Sequence, residues 1–319
     1  MAETTLPLLG SIAVKNRLGE GVFWHQASSS VWWTDIHGKA LFRLSWPEQT
    51  LTEWPLPERI SCFTLLNPAD PMAASYPLLV AFASGFALFN PDTAAIQWLA
   101  KPQQYLSGNR FNDGRVDRQG RLWAGTMVEQ ATERTANSGS LYRFDRQGCH
   151  EIITRLRIPN ALCWNRDSSL MYHADSPSQQ IRRYRFDAVS GEIALAELFA
   201  TTAGIAAGAE PDGAIIDADD HLLCALWGGS ALARYAPDGR LAAVYRLPVS
   251  QPTCVALGGD KLDILFVTTA TEGLTEAELK QQPQAGNLLI YQYPYQGLAE
   301  PQLSVTPWQQ LIQQYNGGA

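Results

Sequence analysis

The sequence predicts an all-β chain folded as a six-bladed β-propeller, and three observations carry that expectation. Six short apolar or β-branched runs recur: VWWTD from Val31, LLVAF from Leu78, LWAGT from Leu122, MYHAD from Met171, LLCAL from Leu222 and ILFVT from Ile264. Their first residues lie 47, 44, 49, 51 and 42 positions apart. A period of about 40 to 50 residues with several strands per unit marks a propeller blade. Helix signals are scarce, since only 275–282 and 307–315 read as helical and both are short. A pair of β-sandwiches would also space its strands regularly, but has no reason to repeat one strand–turn–strand phrase six times.

Taken in order, each run reads as the strand nearest the axis of its blade. Five of the six follow a breaker: Ser28-Ser29-Ser30, Gly120, Asp167-Ser168-Ser169, Asp219-Asp220 or Gly258-Gly259-Asp260. Most are succeeded by a second strand that ends in a turn, as in KALFRLSWPEQT, GSLYRFDRQG, QIRRYRFDAVSG and ALARYAPDGR. Six such units with short tails account for the chain, which is read as a single domain over residues 1–319.

Composition narrows the function. A hydrophobic content of 46% suits a packed core, and a net charge of −7 without a basic cluster argues against nucleic acid or an anionic membrane as partner. Five cysteines, at 62, 149, 163, 224 and 254, lie far apart with no C-x-x-C pair. They read as buried thiols in a reducing compartment, not as a disulfide frame or zinc site. The start MAETTLPLLGS lacks the basic region and long apolar run of a signal peptide. The most apolar window, Tyr76 to Phe89, is 14 residues long and interrupted by Pro77, Ser84 and Gly85. A soluble, cytoplasmic protein is expected, with its oligomeric state open.

The functional signal lies in four motifs: LGEGVFW with Glu20, GNRFNDG with Arg110, Asn112 and Asp113, IPNALCW with Asn160, and EPDGAIID with Asp212. Glu20, Arg110, Asn160 and Asp212 precede the next apolar run by 11, 12, 11 and 10 residues. Equal phase in a propeller puts all four at one end of the axis, where loops from different blades converge. Glu, Asn and Asp oxygens meeting there suit a hard divalent cation. Each residue alone also fits an ordinary turn, because Asn, Asp and Gly are turn formers. No two histidines have metal-ligand spacing, His173 reads as packed within a strand, and no G-x-S-x-G or phosphate loop is present.

These motifs, in this order, resemble the senescence marker protein 30 (regucalcin) and gluconolactonase family. The likeness runs from about Leu18 to Ile290 through LGEG-x-x-W, NRFNDG-x-VD-x-x-GR-x-x-AGTM, GSLYR, PDG-x-x-ID and QP-x-AGN at Gln282 to Asn287. The resemblance implies a six-bladed propeller that opens sugar lactones with one divalent metal ion, left open among calcium, zinc, manganese and magnesium. It further implies Glu20, Asn160 and Asp212 as metal ligands, with Asp212 also the general base, and Arg110 and Asn112 as substrate-holding residues. The dense stretch Asn109 to Asp113 then reads as a lactone clamp on a loop, its turn shaped by Asp113-Gly114. Two departures stand out: Gln130, where the family often has an acidic substrate-facing residue, and Ala161, where it usually has Gly after the ligand Asn. Both are expected to affect which lactone fits. The rival readings are a metal-dependent esterase or phosphotriesterase on the same propeller, and a non-catalytic calcium-binding regulatory protein or protein-binding scaffold.

Overall fold

The computed structural model of the chain describes residues 4–106, 108–129 and 136–305, together with Trp308 and Ile312. These residues form six four-stranded antiparallel sheets arranged in a ring, a six-bladed β-propeller. The innermost strands of blades 1 to 6 are Gly19–His25, Ile60–Leu65, Asn109–Val116, Pro159–Trp164, Glu210–Ile216 and Pro252–Gly258. Each packs beside the next, and that of blade 6 packs beside that of blade 1 to close the circle. Blade 6 is composite: Pro252–Gly258, Ile264–Thr269 and Leu288–Gln292 come from the end of the chain, and Leu8–Ile12 adds the outer strand.

The six apolar runs are the second strands of their blades, not the ones nearest the axis. Leu78–Phe82, for example, is buried at every position, because neighbouring blades cover both of its faces. A strand covered on both sides reads as a continuous apolar run, which is why these segments dominate the sequence pattern. The core is correspondingly a set of wedges between blades. One holds Leu79, Phe86, Phe111 and Leu122 between blades 2 and 3, and another holds Tyr172, Ala174, Leu222 and Leu226 between blades 4 and 5. The outer strands carry the exposed residues, as along Leu51–Pro55.

The innermost strands share a further feature. In every blade the register between first and second strand shifts near the start, at Glu20/Phe23, Ile60/Cys62, Phe111/Gly114, Asn160/Cys163, Pro211/Ala214 and Pro252/Val255. Such bulges bend a strand and re-aim its side chains. The predicted helix at 275–282 forms over Glu276–Gln281 with a Thr275–Glu278 capping box. The one predicted over 307–315 falls almost wholly outside the described residues. At the far end of the axis, Arg115 Nη1 donates to Glu300 Oε1 at 2.5 Å. All five cysteines are free, and no described helix is long and apolar enough to cross a membrane.

Candidate active site

Five of the residues singled out by sequence meet at one end of the axis. Glu20, Arg110, Asn112, Asn160 and Asp212 line a cavity of about 220 Å3, together with Leu18, Met127, Ile158, Ser176, Glu210, Trp227 and Glu272. They sit on innermost strands at or beside the bulges, not on loops ahead of them. The stretch Asn109 to Asp113 is therefore strand, and Asp113-Gly114 shapes no turn: Asn112-Asp113 is the bulge of blade 3, and Gly114 resumes pairing with Ala124. The common phase in the sequence reflects a common bulge.

The bulges bring the innermost strands into close contact. Gly21 takes φ +59°, and a Cβ there would lie 3.2 Å from the Ser61 carbonyl oxygen. At Gly213 a Cβ would lie 2.8 Å from Cys254 Cα. Ala161 adopts φ 56° at the matching place in blade 4, a conformation that favours glycine. It is fully buried among Cys163, Tyr172 and Ala214 and does not line the cavity. Its departure from Gly thus acts on the backbone, whereas the sequence pointed to substrate fit. Gln130 lies outside the described residues.

A hydrogen-bonded chain fixes the polar side chains. Arg110 Nη1 donates to Asn112 Oδ1 at 2.9 Å, and Asn112 Nδ2 donates to Asn160 Oδ1 and to the Pro159 carbonyl, both at 3.1 Å. Asn160 Nδ2 donates to Ser176 Oγ at 2.8 Å, and that hydroxyl donates to the Pro211 carbonyl at 2.7 Å. Outside the cavity lining, Arg110 Nε donates to Glu129 Oε1 at 2.8 Å, and Glu129 also accepts from Arg59 Nη1 and Nη2 at 2.7 and 2.9 Å. Burial alone would raise the Glu129 carboxyl, but hydrogen bonds from His37, Arg59 and Arg110 outweigh it and hold it well below its usual range.

The carboxylates behave in the opposite sense. Burial, then the charge of Asp113, pushes Glu20 up to about 8. Burial, then the charges of Glu20 and Asp113, pushes Asp212 well above its ordinary value. Glu20 Oε2 accepts from the neighbouring Gly21 amide at 3.1 Å, and Asp113 Oδ2 accepts from the Leu162 amide at 3.1 Å. Like charges crowded in a poorly solvated pocket are costly unless a cation joins them.

The donor set fits a divalent cation: two carboxylates and an amide whose oxygen keeps a second lone pair beside the bond from Asn112. Among the described residues no group of three or more His, Cys, Asp and Glu is placed to hold a metal. The set here is of another composition, with Asn160 as its third member.

Sequence reasoning missed Glu129, Glu210, Glu272, Ser176, Met127 and Trp227. One of them carried a usable signal along the chain. Glu210 stands two residues before Asp212, as Arg110 stands two before Asn112, and residues i and i+2 of a strand share a face. Met127 and Trp227 are the cross-strand partners of Arg110 and Glu210, so they extend the same faces into an apolar wall.

Fold and site together define a six-bladed propeller with an acidic, cation-compatible cavity at one channel mouth. The model of the SMP-30/gluconolactonase/LRE-like region matches residues 18–271. The chain belongs to that family. It is 33% identical to L-arabinolactonase of Azospirillum brasilense over 92% of this chain and 94% of that protein. It is 31% identical to 6-deoxy-6-sulfogluconolactonase of Pseudomonas putida over 89% and 94%. The crystal structure of a calcium-binding protein, regucalcin, from Agrobacterium tumefaciens superposes with a TM-score of 0.85 at 30% identity, covering 94% of this chain and 99% of that one.

Proposed function

We propose that this chain hydrolyses sugar lactones with one divalent cation held by Glu20, Asn160 and Asp212. The observation that carries the reading is the meeting of those three oxygen donors with Arg110 and Asn112 in one carboxylate-rich cavity. Relatives named for an arabinose-derived lactone and for a sulfonated gluconolactone support lactones as the substrate class. The relative described as calcium-binding supports a cation at such a site.

When bound, the cation would polarise the lactone carbonyl and stabilise negative charge developing on its oxygen. Asp212 accepts the proton of the attacking water, which passes to the ring oxygen as the carbonyl C–O bond of the ring breaks. Arg110 Nη2 makes no hydrogen bond to a described residue and is free to donate to a ring hydroxyl. Asn112, locked between Arg110 and Asn160, holds the other side of the ring, and orientation of this kind contributes several kcal/mol. Leu18, Met127, Ile158 and Trp227 form the apolar wall against which the C–H face of the ring packs.

The test is a panel of five- and six-membered aldonolactones with and without chelator, repeated on Asp212→Ala. Hydrolysis is expected to stop with chelator and return with added cation. Asp212→Ala is expected to lose more than about tenfold in rate, or about 1.4 kcal/mol of barrier, while remaining folded. A cation at about 100 times its Kd stabilises the native state by about 2.7 kcal/mol, read as a rise in Tm that the variant lacks. Turnover indifferent to chelator and to Asp212→Ala would sink the metal mechanism. A cation response without any lactone or ester turnover would leave a cation-binding protein.

A further inference from the structure

Among the described residues, the cavity wall holds four carboxylates, Glu20, Glu210, Asp212 and Glu272, and one cation, Arg110. We propose that Glu129 sets the charge preference of this site: by offsetting part of the Arg110 charge, it favours uncharged lactones over those bearing a carboxylate, sulfonate or phosphate. The inference rests on the lactone reading above and goes beyond it to the charge of the substrate.

The geometry ties part of the Arg110 charge to a carboxylate outside the cavity lining. Its guanidinium is almost fully buried, with Nε on Glu129 Oε1 at 2.8 Å and Nη1 on Asn112 Oδ1 and the Phe111 carbonyl, both at 2.9 Å. Nη2 makes no hydrogen bond to a described residue and is left for a ligand. Glu129 is itself shared with Arg59 and lies 3.5 Å from His37 Nε2, while His37 Nδ1 lies 3.2 Å from Glu272 Oε2. Arg59, Arg110 and His37 thereby share the single Glu129 carboxylate, and His37 also meets Glu272.

Other charges do not reverse that balance. A bound divalent cation would offset Glu20 and Asp212. Glu210 has the charge of Arg157 nearby, but also that of Asp175, and burial is the larger influence on it. Glu210 and Glu272 therefore still face the ligand. A neutral polyol accepts from Arg110 Nη2 and donates to these carboxylates, whereas an anion meets walls of its own sign. Removing the Glu129 charge would leave both Arg110 and Arg59 uncompensated and shift the cavity towards anions.

The experiment compares kcat/KM for a neutral lactone and a carboxylate-bearing lactone of equal ring size, in wild type, Glu129→Gln and Glu129→Asp. In wild type the anionic lactone is expected to be poorer by about tenfold or more. Glu129→Gln should raise the anionic-to-neutral ratio by about tenfold, and Glu129→Asp should return it towards wild type. Salt supplies a measurement that needs no variant: wild-type kcat/KM for the anionic lactone should rise with ionic strength, and that for the neutral one should stay flat. An unchanged ratio in folded Glu129→Gln overturns the proposal, as does an anionic rate that is flat or falls with salt. If wild type turns over no lactone at all, the functional reading fails by itself. Calorimetric binding of a neutral and an anionic sugar lactam, which needs no turnover, then decides the charge preference: tighter neutral binding supports it, and equal or tighter anionic binding overturns it.

Discussion

Asn160 could present either its oxygen or its nitrogen to the cavity, and one hydroxyl decides which. Ser176 Oγ spends its proton on the Pro211 carbonyl, so it must accept from Asn160 Nδ2, and the amide oxygen turns towards Asn112 and the cavity. A ligand is thereby oriented by a residue that no ligand-spacing rule would select. His173 illustrates burial of the opposite kind. It is buried with no hydrogen-bond partner for Nε2, and burial pushes its imidazole down to about 4. The unfolded chain takes up a proton near pH 6.5 while the folded one stays neutral, so stability is complete above about pH 6.5 and declines as pH falls towards 4. Replacing the ring by Leu should remove this part of the acid slope, roughly 1 to 3 kcal/mol between pH 7 and pH 4. Urea midpoints of wild type and His173→Leu across that range check it; parallel slopes would mean that the ring titrates normally in the fold.

At the scale of the strand, the bulge is the unit that builds the cavity. An unbroken strand alternates its side chains between the faces of the blade, and both faces are covered by neighbouring blades. The extra residue of the bulge turns Asn112, Asp212 and their equivalents towards the axis. The strands must then approach closely. A Cβ at Gly114 would collide with the Trp123 carbonyl oxygen and Cys62 Sγ, and the former is backbone that cannot swing away. Gly114→Ala is therefore expected to cost about 1 to 3 kcal/mol. The readout is a lower urea midpoint with the slope of unfolding unchanged, together with weaker cation protection, since the neighbouring Asp113 and Asn112 are displaced. A variant as stable as wild type would show that blade 3 has slack that these contacts deny.

At the scale of the molecule, six wedge-shaped blades leave two edges to be joined, and the chain joins them inside blade 6. Leu8–Ile12 pairs with Leu288–Gln292 through Leu8↔Tyr291, Gly10↔Ile290, Ser11↔Leu289 and Ile12↔Leu288. Closure converts an exposed edge into a paired one and ties residues nearly 280 positions apart. Deleting residues 1–12 should strip the outer strand from blade 6 and expose that edge. We expect a markedly lower Tm and concentration-dependent association on size exclusion, since an unpaired flat edge recruits other strands. A truncated chain that melts and elutes like wild type would mean that the ring holds without its clasp.

Much of this was written in local sequence. The blade period is legible because the second strand of each blade is covered on both faces and must be apolar throughout, as Leu78–Phe82 and Leu222–Trp227 are. That same local rule misplaced those strands at the axis, since burial on both sides does not distinguish the innermost strand from its neighbour. Glu20, Arg110, Asn112, Asn160 and Asp212 were legible because a bulge at one height in every blade gives them one phase. Glu129, Glu272 and Trp227 acquire their places from pairings between strands and across blades, and no spacing along the chain encodes those. The sequence alone determined that Glu20, Arg110, Asn112, Asn160 and Asp212 share one end of the propeller. Tertiary structure decided how they are charged and oriented there, because burial, neighbouring carboxylates and single hydrogen bonds act through space.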